Sequence, residues 1–99
     1  GTALGDPIEV GALHRVMEDR VAPLCCTSAK SNIGHLEACA GMAGLIKCVA
    51  MLLSSSAPPN CHLNRVNAHL GSAGFPAIFE TEAMDTGLNS GITGVSSFG

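Results

Sequence analysis

Lys30 and His35 stand five residues apart in the stretch Lys30-Ser31-Asn32-Ile33-Gly34-His35-Leu36-Glu37, immediately before a long apolar segment. That segment, Leu36 to Leu53, carries only Glu37 and Lys47 as charges. It lacks the broad polar face of a surface helix and is expected to be a helix buried nearly all round. His35 would then sit at the helix mouth. Unpaired backbone N–H groups and the positive end of the helix dipole favour an anion there and disfavour a second positive charge. An uncharged imidazole is the form that suits the place, and a nearby Lys30 ammonium pushes the same way. Such a ring can donate a hydrogen bond to a carbonyl oxygen as that oxygen becomes negative, which is electrostatic catalysis. The competing reading is structural: a histidine at a helix start also serves as a cap or a packing residue.

The elements around this pair must supply its scaffold. The chain has 99 residues, 46% of them hydrophobic and only 13% charged. A globular domain ordinarily carries about 25% charged residues, so this is interior composition with too little exterior. It points to a large obligate interface or to a segment of a bigger domain. The ends favour the second: Gly1 is no initiator methionine, and Gly94-Val95-Ser96-Ser97-Phe98-Gly99 is an apolar run without a closing turn. The formal charge of -3 and the lack of a basic run argue against nucleic acid. Five cysteines, Cys25, Cys26, Cys39, Cys48 and Cys61, read as reduced thiols used as small apolar side chains in a reducing compartment. The Leu36 to Leu53 run is long enough to span a bilayer. Its Ala, Cys and Gly content, with Glu37 and Lys47 inside it, argues for a protein interior instead.

Ahead of the pair, Asp6 suits an N-cap, Pro7 the first helical position and Glu9 the third residue of a capping box. A helix is expected from there to about Arg20, with Ile8, Ala12 and Val16 on one face. Pro23 resets the backbone, and Leu24-Cys25-Cys26-Thr27 reads as a buried strand whose end delivers Lys30 and His35. Strand, polar loop and helix start is how open α/β sheets place ligand groups. The small residues Ala38, Cys39, Ala40, Gly41, Ala43 and Gly44 allow close backbone approach. Ser54 to Pro76 reads as a long ordered loop, Ala77 to Thr81 as a short edge strand, Asp85 to Ser90 as a turn and Gly91 to Phe98 as a further strand. Cys25 and Cys26, in a buried strand, lack the accessible setting of a nucleophilic thiol. Cys61, His62 and His69 lack the paired spacing of a zinc site, so no metal is expected. His14 lies on a charged helix face and is expected to meet solvent.

Taken together, these segments resemble the carboxy-terminal half of a β-ketoacyl synthase, the condensing domain of polyketide and fatty-acid synthases. Three motifs carry the likeness. Gly1-Thr2-Ala3-Leu4-Gly5-Asp6-Pro7-Ile8-Glu9 resembles the end of the family's first histidine motif, whose catalytic histidine falls just before Gly1. Lys30 to Gly41 resembles the second histidine motif, and Gly94 to Gly99 the start of the Gly-rich stretch beneath the active site. The wording is closer to modular or single-domain polyketide synthases than to dissociated fatty-acid enzymes. Departures are Thr27 where glycine is common, Cys39 where alanine is common, and Asn67-Ala68 where Asn-Pro is usual.

The resemblance implies a thiolase-like layered α/β/α/β/α fold, of which residues 1–99 would form the incomplete carboxy-terminal half, with the helix after His35 between two sheets. It implies decarboxylative condensation of an acyl thioester with a malonyl-type extender, with His35 and Lys30 as catalytic residues. A salt-bridge role for Lys30 stays open. Thr2 matches a threonine contacting the phosphopantetheine arm or malonyl group, and Phe98 lies next to the acyl-pocket gate. No cofactor is bound directly; phosphopantetheine arrives on the acyl carrier protein. The parent would be a homodimer in the cytoplasm or another reducing compartment such as a plastid, and the isolated segment would be inactive. The nucleophilic cysteine belongs to an upstream motif. A parent without it would be a non-elongating decarboxylase or a chain-length partner subunit.

Overall fold

The computed structural model of the chain describes residues 3–68, 70, 77–87 and 91–98. Helix α1 spans Gly5–Met17, strand β1 Leu24–Cys25, helix α2 Ala29–Ile33 and helix α3 Ala40–Ser54, the last preceded by a 3-10 turn at Glu37–Cys39. Strands β2, Ser56–Ala57, β3, Ala77–Ile78, and β4, Met84–Asp85, complete the described elements. β1 pairs in parallel with β3, Leu24 opposite Ala77 and Cys25 opposite Ile78. β2 pairs antiparallel with β4, Ser56 opposite Asp85 and Ala57 opposite Met84. The arrangement is α/β, and both expected strand sites before α2 and after Pro76 are occupied.

α1 begins one residue before the expected cap. Leu4 is the N-cap and offers no side-chain bond, so Asp6 lies inside the first turn. There its charge still complements the helix dipole. The helix ends at Met17 rather than Arg20, and a turn closes with the Arg20 N–H donating to Met17 O at 3.1 Å. α3 ends where Ser55 takes a left-handed conformation, φ 51°, and its N–H returns to Met51 O. That reversal feeds β2 directly, so the region expected as loop from Ser54 opens with a strand.

The small residues of α3 have a visible occupant. Gly41, Gly44 and Cys48 form one stripe of the helix. The Cys48 thiol donates to Gly94 O at 3.6 Å, and a Cβ placed on Gly44 would come within 2.5 Å of Val95 Cγ2. A Cβ on Gly41 would meet Ser97 Cβ at 3.3 Å. Residues 94–97 therefore run antiparallel along the helix. From Cys48 back to Gly41 the helix advances about 10 Å, and three extended residues also cover about 10 Å, so the two repeats match. This corrects the strand expected over Gly91 to Phe98: the segment is extended, but its neighbour is a helix face, not a strand edge, and it joins no sheet ladder among the described residues. The expected turn from Asp85 begins as β4, after which the Gly87 N–H is held by Asp85 Oδ1 at 2.9 Å; residues 88–90 lie outside the described set.

The opposite stripe is open. Met42 is 61% exposed, Ile46 62% and Leu53 84%, and no residue of α3 is fully buried. The helix expected to be enclosed is thus covered on one side only, and Ala57 alone among the described apolar residues is completely buried. Within these residues there is chain to cover the glycine stripe and none to cover its reverse, so the layered arrangement is present only in part. Glu37–Ser54 is long and apolar enough to cross a membrane by length and composition, with mean hydropathy 1.5. Yet its glycine stripe carries chain at van der Waals contact, which is how an interior helix packs.

One consequence is measurable. Produced alone, the 99-residue chain is expected to bind a hydrophobic dye, give poorly dispersed amide resonances and unfold without a sharp transition. Cooperative unfolding of a monomer with sharp side-chain signals would contradict this.

Candidate active site

The site grows from the end of β1. The Ser28 N–H donates to Asn60 Oδ1 at 2.8 Å, and the Ser31 hydroxyl donates to Ser28 O at 2.8 Å, which together start α2. Asn60 does more than hold Ser28. Its Nδ2 donates to Cys26 O at 3.0 Å and to Glu80 O at 3.3 Å, and its own N–H reaches Glu80 O at 2.8 Å. One side chain thus ties the ends of β1 and β3 to the first turn of α2. Lys30 lies in that turn, exposed to solvent.

α2 stops at Gly34, whose N–H donates to Lys30 O at 2.9 Å. Gly34 has φ 81° and ψ 179°, a conformation open to glycine and strained for any residue with a Cβ. His35 follows at once. The Glu37 N–H donates to His35 Nδ1 at 2.9 Å, and the Cys39 N–H donates to Leu36 O at 2.9 Å to form the 3-10 turn. Glu37 itself has φ 45°, a left-handed position costing about 1–2 kcal/mol for a residue of its kind. Only a ring nitrogen bearing a lone pair can accept from a backbone N–H. The ring proton therefore sits on Nε2, and Nε2–H is the donor His35 offers to a ligand.

Two expectations need correction here. His35 does not stand directly on the first turn of α3, because the 3-10 turn intervenes; it caps that turn instead. Nor is it enclosed: His35 and Lys30 are both exposed, since the chain that covers one side of α3 leaves this end open. The structural and the catalytic readings of His35 turn out to be compatible. One ring nitrogen caps and the other is left free to donate.

Thr2 lies outside the described residues. Phe98 is 77% exposed, one residue beyond the Ser97 contact on Gly41. Cys25 and Cys26 are not primed as nucleophiles. Burial pushes both thiols up, with Glu80 adding to the effect on Cys25 against the opposing pull of Lys47, and Cys25 adding to that on Cys26. His69 lies outside the described residues, and among those described no trio of His, Cys, Asp or Glu is placed for a metal.

The family model for the carboxy-terminal domain of β-ketoacyl synthases matches residues 1–64. The chain belongs to that family. Its relatives are polyketide synthases. It is 49% identical over 71% of its length to the hybrid PKS-NRPS synthetase pynA of Aspergillus niger. Over its whole length it is 40% identical to erythronolide synthase EryA2 of Saccharopolyspora erythraea. Likewise it is 39% identical over its whole length to the probable polyketide synthase 17 of Dictyostelium discoideum. The chain spans only 2%, 3% and 4% of the length of these three proteins. It is a carboxy-terminal ketosynthase segment of polyketide synthase type.

Within this ketosynthase segment the structure adds three residues that sequence reasoning passed over: Asn32, Lys47 and Asn60. Lys47 Nζ donates to Asn32 Oδ1 at 2.8 Å, and Asn32 Nδ2 donates to Pro59 O at 3.0 Å and Cys61 Sγ at 3.2 Å. Burial pushes the Lys47 ammonium down, while Cys61, Cys25 and Cys48 oppose that shift. Signals for them existed: a lone lysine in an apolar helix, and an amide directly after Pro58-Pro59. An open groove of about 260 Å³ along the end of α3, lined by Lys47, Met51, Pro58 and Pro59 among others, includes neither His35 nor Lys30.

Asn60→Ala, in the ketosynthase that carries this chain, is expected to lower stability by about 1–3 kcal/mol because backbone groups of three segments lose a partner. Chemical denaturation checks this. An unchanged midpoint would mean that the asparagine clasp holds nothing the rest of the domain does not hold already.

Proposed function

We propose that the chain supplies the decarboxylating half of a ketosynthase site. An acyl group is loaded from a carrier thioester onto a cysteine upstream of this segment. Malonyl thioester loses carbon dioxide, and the electron pair of the broken bond passes into an enolate. His35 Nε2–H donates to the enolate oxygen as its charge develops. The carbanion then attacks the acyl-cysteine carbonyl, a carbon–carbon bond forms, and the cysteine leaves as thiolate. The observation that carries this reading is the 2.9 Å bond from Glu37 N–H to His35 Nδ1, which commits Nε2 to donation without any proton having to move.

Lys30, in the first turn of α2 and five residues before His35, is a local positive charge that favours an anionic intermediate. Thr2 contacts the phosphopantetheine arm or malonyl group, and Phe98 borders the acyl pocket. Residues 1–99 belong to one domain, completed by the rest of a thiolase-like layered fold that covers the open stripe of α3. The phosphopantetheine comes on an acyl carrier protein, the whole enzyme is a homodimer, and it works in a reducing compartment such as the cytoplasm.

The alternative reading is a parent that decarboxylates without elongating or acts as a chain-length partner. His35 has the same task in both, and the upstream nucleophile separates them.

His35→Ala in the full ketosynthase is expected to cut malonyl decarboxylation by at least about 10²-fold, the scale of one lost oxyanion donor. Loading of radiolabelled acyl groups onto the cysteine should stay within about twofold, because the nucleophile is untouched. Carbon dioxide release at the unaltered rate would remove the role given to His35.

A further inference from the structure

We infer that Lys47 is a positioning residue for His35, acting through Asn32; the inference rests on the reading of His35 as the decarboxylating donor. α2 has five residues, too few to hold its own geometry in water. Its start is fixed by Asn60, but its end, which delivers Gly34 and His35, is fixed by Asn32 alone among the described side-chain hydrogen bonds. Pro59 O, which can only accept, holds Asn32 Nδ2 on one side, and Lys47, which can only donate, is the partner that ties the Oδ1 end to α3.

The Lys47 bond also closes a ring. From Asn32 the chain passes Gly34, His35, the 3-10 turn and the first two turns of α3, and returns to Asn32 through Nζ, a span of 15 residues. His35 is held inside that ring, with Asn32 on one side and the Glu37 N–H on the other. The ammonium is half-buried, so it cannot be replaced there by a water-solvated side chain at no cost. Without it, α2 can shift against α3, and Nε2 moves with the turn.

The test is made in the full ketosynthase that carries this chain. Lys47→Met keeps the stem and removes the donor. It is expected to lower kcat for malonyl decarboxylation about 10- to 100-fold with KM within about twofold, the signature of a misplaced donor and not of lost binding. Lys47→Arg, which still donates, should restore most of the loss. Asn32→Ala should match Lys47→Met, and the double variant should be no worse than either, because both cut the same link. If Lys47→Met gives no folded protein, Asn32→Ala carries the same expectation. Decarboxylation at the unaltered rate in these variants, while His35→Ala abolishes it, overturns the inference and leaves the role of His35 intact. Acyl loading falling in step with decarboxylation also overturns it, since that marks a general loss of fold. An unaffected His35→Ala variant would instead sink the reading beneath it.

Discussion

Everything at this site depends on one hydrogen bond, from the backbone of Glu37 to the ring of the histidine two residues before it. A turn preceding a helix leaves backbone N–H groups without partners, and a side chain two residues back is the nearest group able to satisfy one. When that side chain is imidazole, capping has a chemical by-product: the capped nitrogen must be the bare one, and the proton is sent to the far side of the ring. The local cost is visible in the left-handed backbone at Glu37 and the glycine-only geometry at Gly34. Strain of this kind persists only where the surroundings hold it.

The surroundings are two asparagines and a lysine. Asn60 gathers the ends of β1 and β3 at the start of α2, and Asn32 joins the end of α2 to α3 through Lys47. Both amides meet at the Pro58 to Cys61 segment, whose prolines limit the backbone freedom that would otherwise blur these contacts. The short strands add little by themselves. Their service is to bring chain ends within reach of side chains that donate and accept at once.

Much of this was legible in the residues. The strand before His35, the helix after it and the need for glycine at a close approach all follow from local pattern, and the motifs name the family. What was not legible depended on partners distant in sequence. Asp6 looks like a cap, yet Leu4 precedes the helix, because capping preference is a fraction of the energy that packing can override. Gly91 to Phe98 has strand composition and lies extended, but only the folded chain reveals that it rests on Gly41 and Gly44. The enclosure expected for α3 follows from its composition, which reports what the helix is suited to and not what the described residues cover. Asn32 and Asn60 are ordinary loop residues by sequence, and their partners lie between 20 and 34 positions away in most cases.

The proton on the His35 ring can be observed directly. Nitrogen-15 correlation spectra of the imidazole, recorded on the full ketosynthase near neutral pH, should show Nδ1 bare and Nε2 carrying the hydrogen. A hydrogen on Nδ1 would break the bond to Glu37 and leave His35 without the committed donor on which its proposed role depends.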